Sequence, residues 1–227
     1  MKFFKPLGFV IFFILISMAT FAQDASKNMV LDTHWRFQYG RAEFAETKNF
    51  NDTLWKTINI PHTWNAKDVF NDDLTYARGI AWCRKSIALT LQQLSNKVSI
   101  YFEGAYQITD VYINGAFVGK HKGGYAAFSF DITDKLQEGK NTIAVKVNNA
   151  QNPFIPPLSI DYAGYGGIYR PVTLIFRNAI SFNGEYASSG IKIKTPQVSK
   201  DKATVEIEAS VKNQTSKNQN ITLTVSL

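Results

Sequence analysis

The sequence predicts an all-β protein, and three kinds of observation carry that reading. The first is strict alternation. Val98, Ile100 and Phe102 alternate with Lys97, Ser99 and Tyr101, as they do on a strand with one face buried. Ile143, Val145 and Val147 repeat the pattern, and so do Val205, Ile207 and Ala209 between Thr204, Glu206 and Glu208. The second is Asn114-Gly115 between two apolar runs, one with Val111 and Ile113, the other with Phe117 and Val118. A two-residue type I′ turn needs positive φ at both positions, which Asn-Gly supplies. The third is punctuation: Gly123-Gly124 and the Pro-rich stretch 152–158 break the chain where a ladder cannot continue.

Taken in order, residues 1–22 read as a secretory signal. Lys2 and Lys5 form a basic start, Leu7 to Ile16 an apolar core, and Thr20-Phe21-Ala22 a cleavage site. A core of ~10 apolar residues falls short of the ~20 that span a bilayer, so no membrane anchor is expected after cleavage. The expected location is secreted or periplasmic. Ile58-Asn59-Ile60-Pro61-His62-Thr63-Trp64 ends a strand at a proline, and Asn65 to Thr75 reads as a polar loop. Residues 101–130 read as a β-meander. Asp131 is the expected N-cap of a short helical turn, and Gly139-Lys140-Asn141 reverses the chain into the next strand.

Charge and cysteine content exclude some functions. The 227 residues carry 25 Lys+Arg against 18 Asp+Glu, a formal +7. The positive charges are scattered, with no basic block interleaved with aromatics, so no nucleic-acid partner is expected. The single cysteine, Cys83, leaves an exported domain without an internal disulfide, so packing must hold it. Cys83 has no His nearby in sequence and reads as a small buried hydrophobe rather than a nucleophile. His62, beside Pro61, reads as a loop organiser rather than a catalytic base. His34, His62 and His121 have no metal-ligand spacing, and no phosphate loop or Ser/His/Asp arrangement is present. No cofactor is expected.

Several phrases together resemble glycoside hydrolase family 2, the β-galactosidases, β-glucuronidases and β-mannosidases. These are Pro61-His62-Thr63-Trp64, then Gly79 with Trp82, Arg84 and Lys85, then Val111–Gly119 with Gly123–Tyr125, and Gly166-Gly167-Ile168-Tyr169-Arg170. Cys83 stands where the family usually has Tyr. The resemblance implies a jelly-roll (galactose-binding-like) sugar-binding sandwich over 23–178. It implies a partial immunoglobulin-like sandwich over 179–227, with strands at Ile191–Ile193, Ala203–Val211 and Ile221–Leu227. It also implies that Asp161, six residues before Gly167, hydrogen-bonds hydroxyls of the sugar held by a neighbouring barrel. Read without the resemblance, an Asp among glycines is a turn residue.

A retaining glycosidase needs two carboxyls ~5–5.5 Å apart. In the family both lie on a (β/α)₈ barrel of ~250 residues, which this chain does not contain. Glu206 and Glu208, Asp72 and Asp73, and Asp134 and Glu138 read as solvated pairs. The resulting expectation is the exported, non-catalytic N-terminal part of a family 2 glycosidase, partnered by carbohydrate and by the barrel. A stand-alone carbohydrate-binding module and a structural β-sandwich are the alternatives.

Overall fold

A computed structural model describes residues 28–70, 76–156, 164–184 and 187–226. The alternating stretches form β1 (Met29–Val30), β2 (Trp35–Tyr39), β3 (Lys56–Ile58), β4 (Ile80–Leu89), β5 (Lys97–Phe102), β6 (Ile108–Ile113), β7 (Ala116–Lys122), β8 (Phe128–Asp131), β9 (Gly139–Asn148) and β10 (Val172–Arg177). They pair into a four-stranded sheet, β1-β10-β5-β8, and a six-stranded sheet, β3-β2-β4-β9-β6-β7. The alternation in β5 and β10 puts Val98, Ile100, Phe102, Val172, Leu174 and Phe176 on the inner face of the first sheet. Trp35, Cys83, Val111, Ile113, Ile143, Val145 and Val147 meet them from the second. All-β sandwich architecture is therefore as the sequence predicts, with the core between two facing sheets.

The Asn114-Gly115 turn is also as expected. Both φ values are positive, 52° and 89°, and Ile113 pairs with Ala116 across it. The meander is not. β6 and β7 belong to the six-stranded sheet, while β8 returns to pair with β5 in the other. Gly104, Ala105 and Tyr106 are buried where the chain crosses between sheets. Alternation alone cannot assign a strand to a sheet, because both sheets turn their apolar faces to one core.

Smaller expectations shift by a few residues. Asp131 closes β8, and its Oδ1 accepts from Thr133 N (2.9 Å) and Thr133 Oγ1 (2.6 Å), holding a one-turn helix at Thr133–Lys135. Gly139 to Asn141 lie inside β9 rather than reversing the chain. Asn141 is buried there, donating from Nδ2 to Gln137 O (2.7 Å) and Gly139 O (3.0 Å), while Asn114 Nδ2 donates to its Oδ1 (2.8 Å). The outer face of the six-stranded sheet is covered by residues 41–55. There Arg84 Nε donates to Asp52 Oδ2 at 2.8 Å and Nη1 to the Ala45 and Thr47 carbonyls.

Beyond β10 lie β11 (Ile180–Phe182), β12 (Ile191–Val198), β13 (Ala203–Ala209) and β14 (Val211–Asn213), paired as β11-β14 and β12-β13. The expected run Ala203–Val211 is broken at Ser210, whose N–H donates to Gly190 O (2.8 Å). Residues 221–226 keep their apolar alternation but pair with no strand among the described residues. The alternation marks a chain suited to a ladder; without a facing sheet it buries little.

Candidate functional site

One end of the sandwich gathers the end of β3, the start of β4, the start of β6, the end of β9 and the approach to β10. Residues from each meet in a buried polar network. Ile60-Pro61 is a cis peptide. Beyond it His62 N donates to Ile168 O (2.8 Å) and Trp64 N to Gly166 O (3.2 Å), so 62–64 and 166–168 run side by side. Asn65 is almost wholly buried and ties the two together. Its Nδ2 donates to Gly164 O (2.9 Å), and its Oδ1 accepts from Gly166 N (2.8 Å) and Thr63 Oγ1 (2.8 Å). Asn149 answers from the end of β9, donating to Ala77 O (3.2 Å) and accepting from Gly79 N (2.8 Å).

Glycine is required at two of these positions by close approach. A Cβ on Gly166 would overlap the Trp64 ring and Asn149 Nδ2, and one on Gly167 (φ +129°) would stand 2.5 Å from His62 O. Tyr106 completes the floor: its N–H donates to Gly167 O (3.0 Å), and its ring lies against Gly124 and Gly164. Tyr169 reaches back to donate its hydroxyl to Gly124 O, and burial pushes its phenol up against the opposing pull of Arg170. Pro61–Trp64, Gly79, Gly124 and Gly166–Tyr169 from the family phrases thus meet in space, although 99 residues separate Asn65 from Gly164, whereas Arg84 and the Asn114-Gly115 turn pack against residues 45–52.

Beside this network opens a cleft of about 380 Å³ walled by Phe37, Tyr39, His62 and Trp64, with Lys56 and Lys67 at its edge. His62 packs its ring 4.6 Å from Phe37. Burial, with Lys56 adding to it, holds the imidazole below its ordinary value, so His62 is neutral near pH 7. Its backbone N–H ties the loop to Ile168, while Nδ1 of its imidazole is buried with no hydrogen-bond partner among the described residues. Cys83 is buried in β4 with its thiol pushed up to about 12 by desolvation, which leaves no thiolate to act as a nucleophile.

Asp161 lies outside the described residues, as do Asp72 and Asp73. The structure describes the strand side of that segment: Gly164, whose carbonyl both Asn65 and Asn149 engage. The carboxylate bonded into the network is Asp68, whose Oδ2 accepts from Ala77 N (2.7 Å). Sequence reasoning missed Asn65, which it placed in a solvated loop. The available signal was its position directly after Pro-His-Thr-Trp, a segment already marked as ordered. Among the described residues no group of three or more His, Cys, Asp or Glu side chains is placed to hold a metal.

A two-sheet sandwich with a hydrogen-bonded loop platform and an aromatic cleft at one end is the layout of a β-domain that offers its loops to a ligand. The model for "Glycosyl hydrolases family 2, sugar binding domain" matches residues 28–178, and the chain belongs to that family. A β-glucuronidase of Bacteroides fragilis is 32% identical over 211 residues, covering 92% of this chain and 29% of that protein. A β-galactosidase of Bacteroides ovatus is 30% identical over 201 residues, covering 85% of this chain and 23% of its own. The crystal structure of a Bacteroides uniformis β-glucuronidase superposes with a TM-score of 0.78 at 38% identity, over 82% of this chain and 22% of that one. The chain therefore spans less than a third of the length of each.

Proposed function

We propose that this chain is the N-terminal, non-catalytic, sugar-binding part of an exported hydrolase of terminal β-linked sugars. In this reading the sandwich ends near residue 178, and 179–227 begin an immunoglobulin-like domain. The loop end presents Asp161 to a sugar held by a following (β/α)₈ barrel, which supplies the two carboxyls of the reaction. The observation that carries the reading is the platform itself. Gly166 and Gly167 are locked against Trp64, Asn149 and His62, and Asn65 and Asn149 hold the Gly164 carbonyl. A segment rooted there begins from a fixed point, which is what a substrate contact needs. Export rests on residues 1–22; no helix among the described residues is long and apolar enough to cross a membrane.

The test is to express the longest polypeptide encoded in this reading frame and assay it on nitrophenyl β-glucuronide, β-galactoside and β-mannoside. Turnover of one of them is expected, while the 227-residue chain alone is inactive. Activity in the 227-residue chain, or none in the longer product, contradicts the reading.

A further inference from the structure

A second cavity lies away from the loop platform. It is a groove of about 830 Å³ along the open side of the sandwich, where β7 and β8 are the edge strands of their sheets and residues 181–184, 212 and 214 form the opposite wall. Lys97 marks its far end, and Lys97 opens β5 while Phe102 closes that strand toward the platform. The volume falls within the ~300–1,000 Å³ of small-ligand sites.

Four cations stand around it: Lys97, Lys120, Arg177 and Lys212. They come from β5, β7, β10 and β14, so folding rather than a sequence block collects them. Among the described residues one carboxylate lines the groove, Asp131, and its Oδ1 is engaged by Thr133. Lys120 is 3.3 Å from Asp110, a carboxylate that Lys146 approaches more closely, at 2.7 Å. The groove lining thus carries four cations against one carboxylate, with Asp110 beside Lys120 and Asp134 near Lys97. A Cβ on Gly184 would stand 2.7 Å from Ser188 O and 2.9 Å from Arg177 Nη2, so the chain passes close to the guanidinium there. Phe182 is 42% exposed at the wall, and Asn183 and Gln214 add amide groups beside it.

An exposed aromatic face for stacking, neutral donors for hydroxyls and several cations for carboxylates are the groups that recognise an acidic sugar chain. We infer that this groove is a second glycan site, separate from the platform, and that it takes an oligosaccharide bearing carboxylates, such as an oligouronate. The inference shares with the proposed function only the premise that the chain handles carbohydrate. Charge complementarity selects the acidic glycan, and Phe182 selects a sugar over a charged peptide without a flat apolar face.

Titration calorimetry of the 227-residue chain tests this, with hexagalacturonate as the probe, maltohexaose as the neutral control and hexaglutamate as the charge control. Saturable binding of hexagalacturonate is expected, with maltohexaose and hexaglutamate each at least about tenfold weaker, the size of one charge-assisted hydrogen bond. Lys212→Glu should weaken hexagalacturonate about tenfold or more, and Phe182→Ala roughly two- to tenfold, while the melting curve is kept. Lys120→Glu, on the opposite wall, repeats the test should Lys212→Glu lower stability. Lys194→Glu, on β12 outside the groove lining, should leave this binding unchanged, which separates the groove from a general loss of positive charge. No binding, equal binding of hexaglutamate, or indifference to Phe182→Ala together with the lysine changes overturns the inference.

Discussion

Asn65 shows how one amide can hold a site together. It makes three hydrogen bonds across two segments from a nearly fully buried position. Asn65→Ala strands the Gly166 N–H and leaves the Gly164 carbonyl only the longer bond from Asn149, and leaving a buried polar group unpaired costs about 1–3 kcal/mol. A denaturant midpoint lowered by that amount, with an unchanged slope, is the expected result. The buried histidines give a second residue-scale prediction. Desolvation lowers the folded pKa of both His62 and His121, so the unfolded chain binds protons first as pH falls from its ordinary His value near 6.5. Stability should be level above about pH 6.5, fall as the pH drops from there toward the lowered folded values, and level off below them. Melting temperatures across pH 7.5 to 5.0 check this, and the His62→Phe, His121→Phe double variant should flatten the slope.

At the scale of elements, the β6–β7 hairpin was the most legible feature. Asn114-Gly115 states its turn chemistry in two letters, and the structure returns positive φ at both. A Cβ on Gly115 would find ordinary contacts with the backbone of Thr47 and Lys48, the nearest at 3.6 Å, so the cost of Gly115→Val is backbone conformation rather than collision. A β-branched residue forced to φ +89° should destabilise by about 1–2 kcal/mol, measured by equilibrium unfolding. The crossing from β5 to β6 was not legible. Alternation records which side of a strand is buried, and in a sandwich both sheets bury toward the same centre. The polar loop platform was half legible. Its glycines and Pro61 were visible, but the pairing of Asn65 with Gly164 depends on a contact 99 residues apart that no local pattern encodes.

Across the whole molecule, packing is uneven. The two large sheets enclose one core of fully buried aromatic and aliphatic side chains, whereas Ile191, Ile193, Val198, Val205 and Ile207 on β12 and β13 remain exposed. Two-stranded sheets with an uncovered apolar face are marginal alone. Limited proteolysis of the 227-residue chain should therefore cut within the β12–β13 hairpin first and leave the sandwich intact, and mass spectrometry of the fragments would show it. Equal protection of both regions would instead mean that another chain covers the hairpin.

The central claim is that the platform fixes Asp161 for contact with a sugar, and one comparison tests it most directly. In the longest product of the reading frame, kcat/KM on the preferred nitrophenyl glycoside is measured for the native sequence and for Asp161→Ala. A hydrogen bond between a carboxylate and a sugar hydroxyl is worth roughly 1.5–3 kcal/mol, which corresponds to a fall of roughly ten- to a hundredfold. The account predicts that fall with the melting temperature within about a degree of the native value. Full activity in Asp161→Ala, or loss of activity only through unfolding, would contradict it.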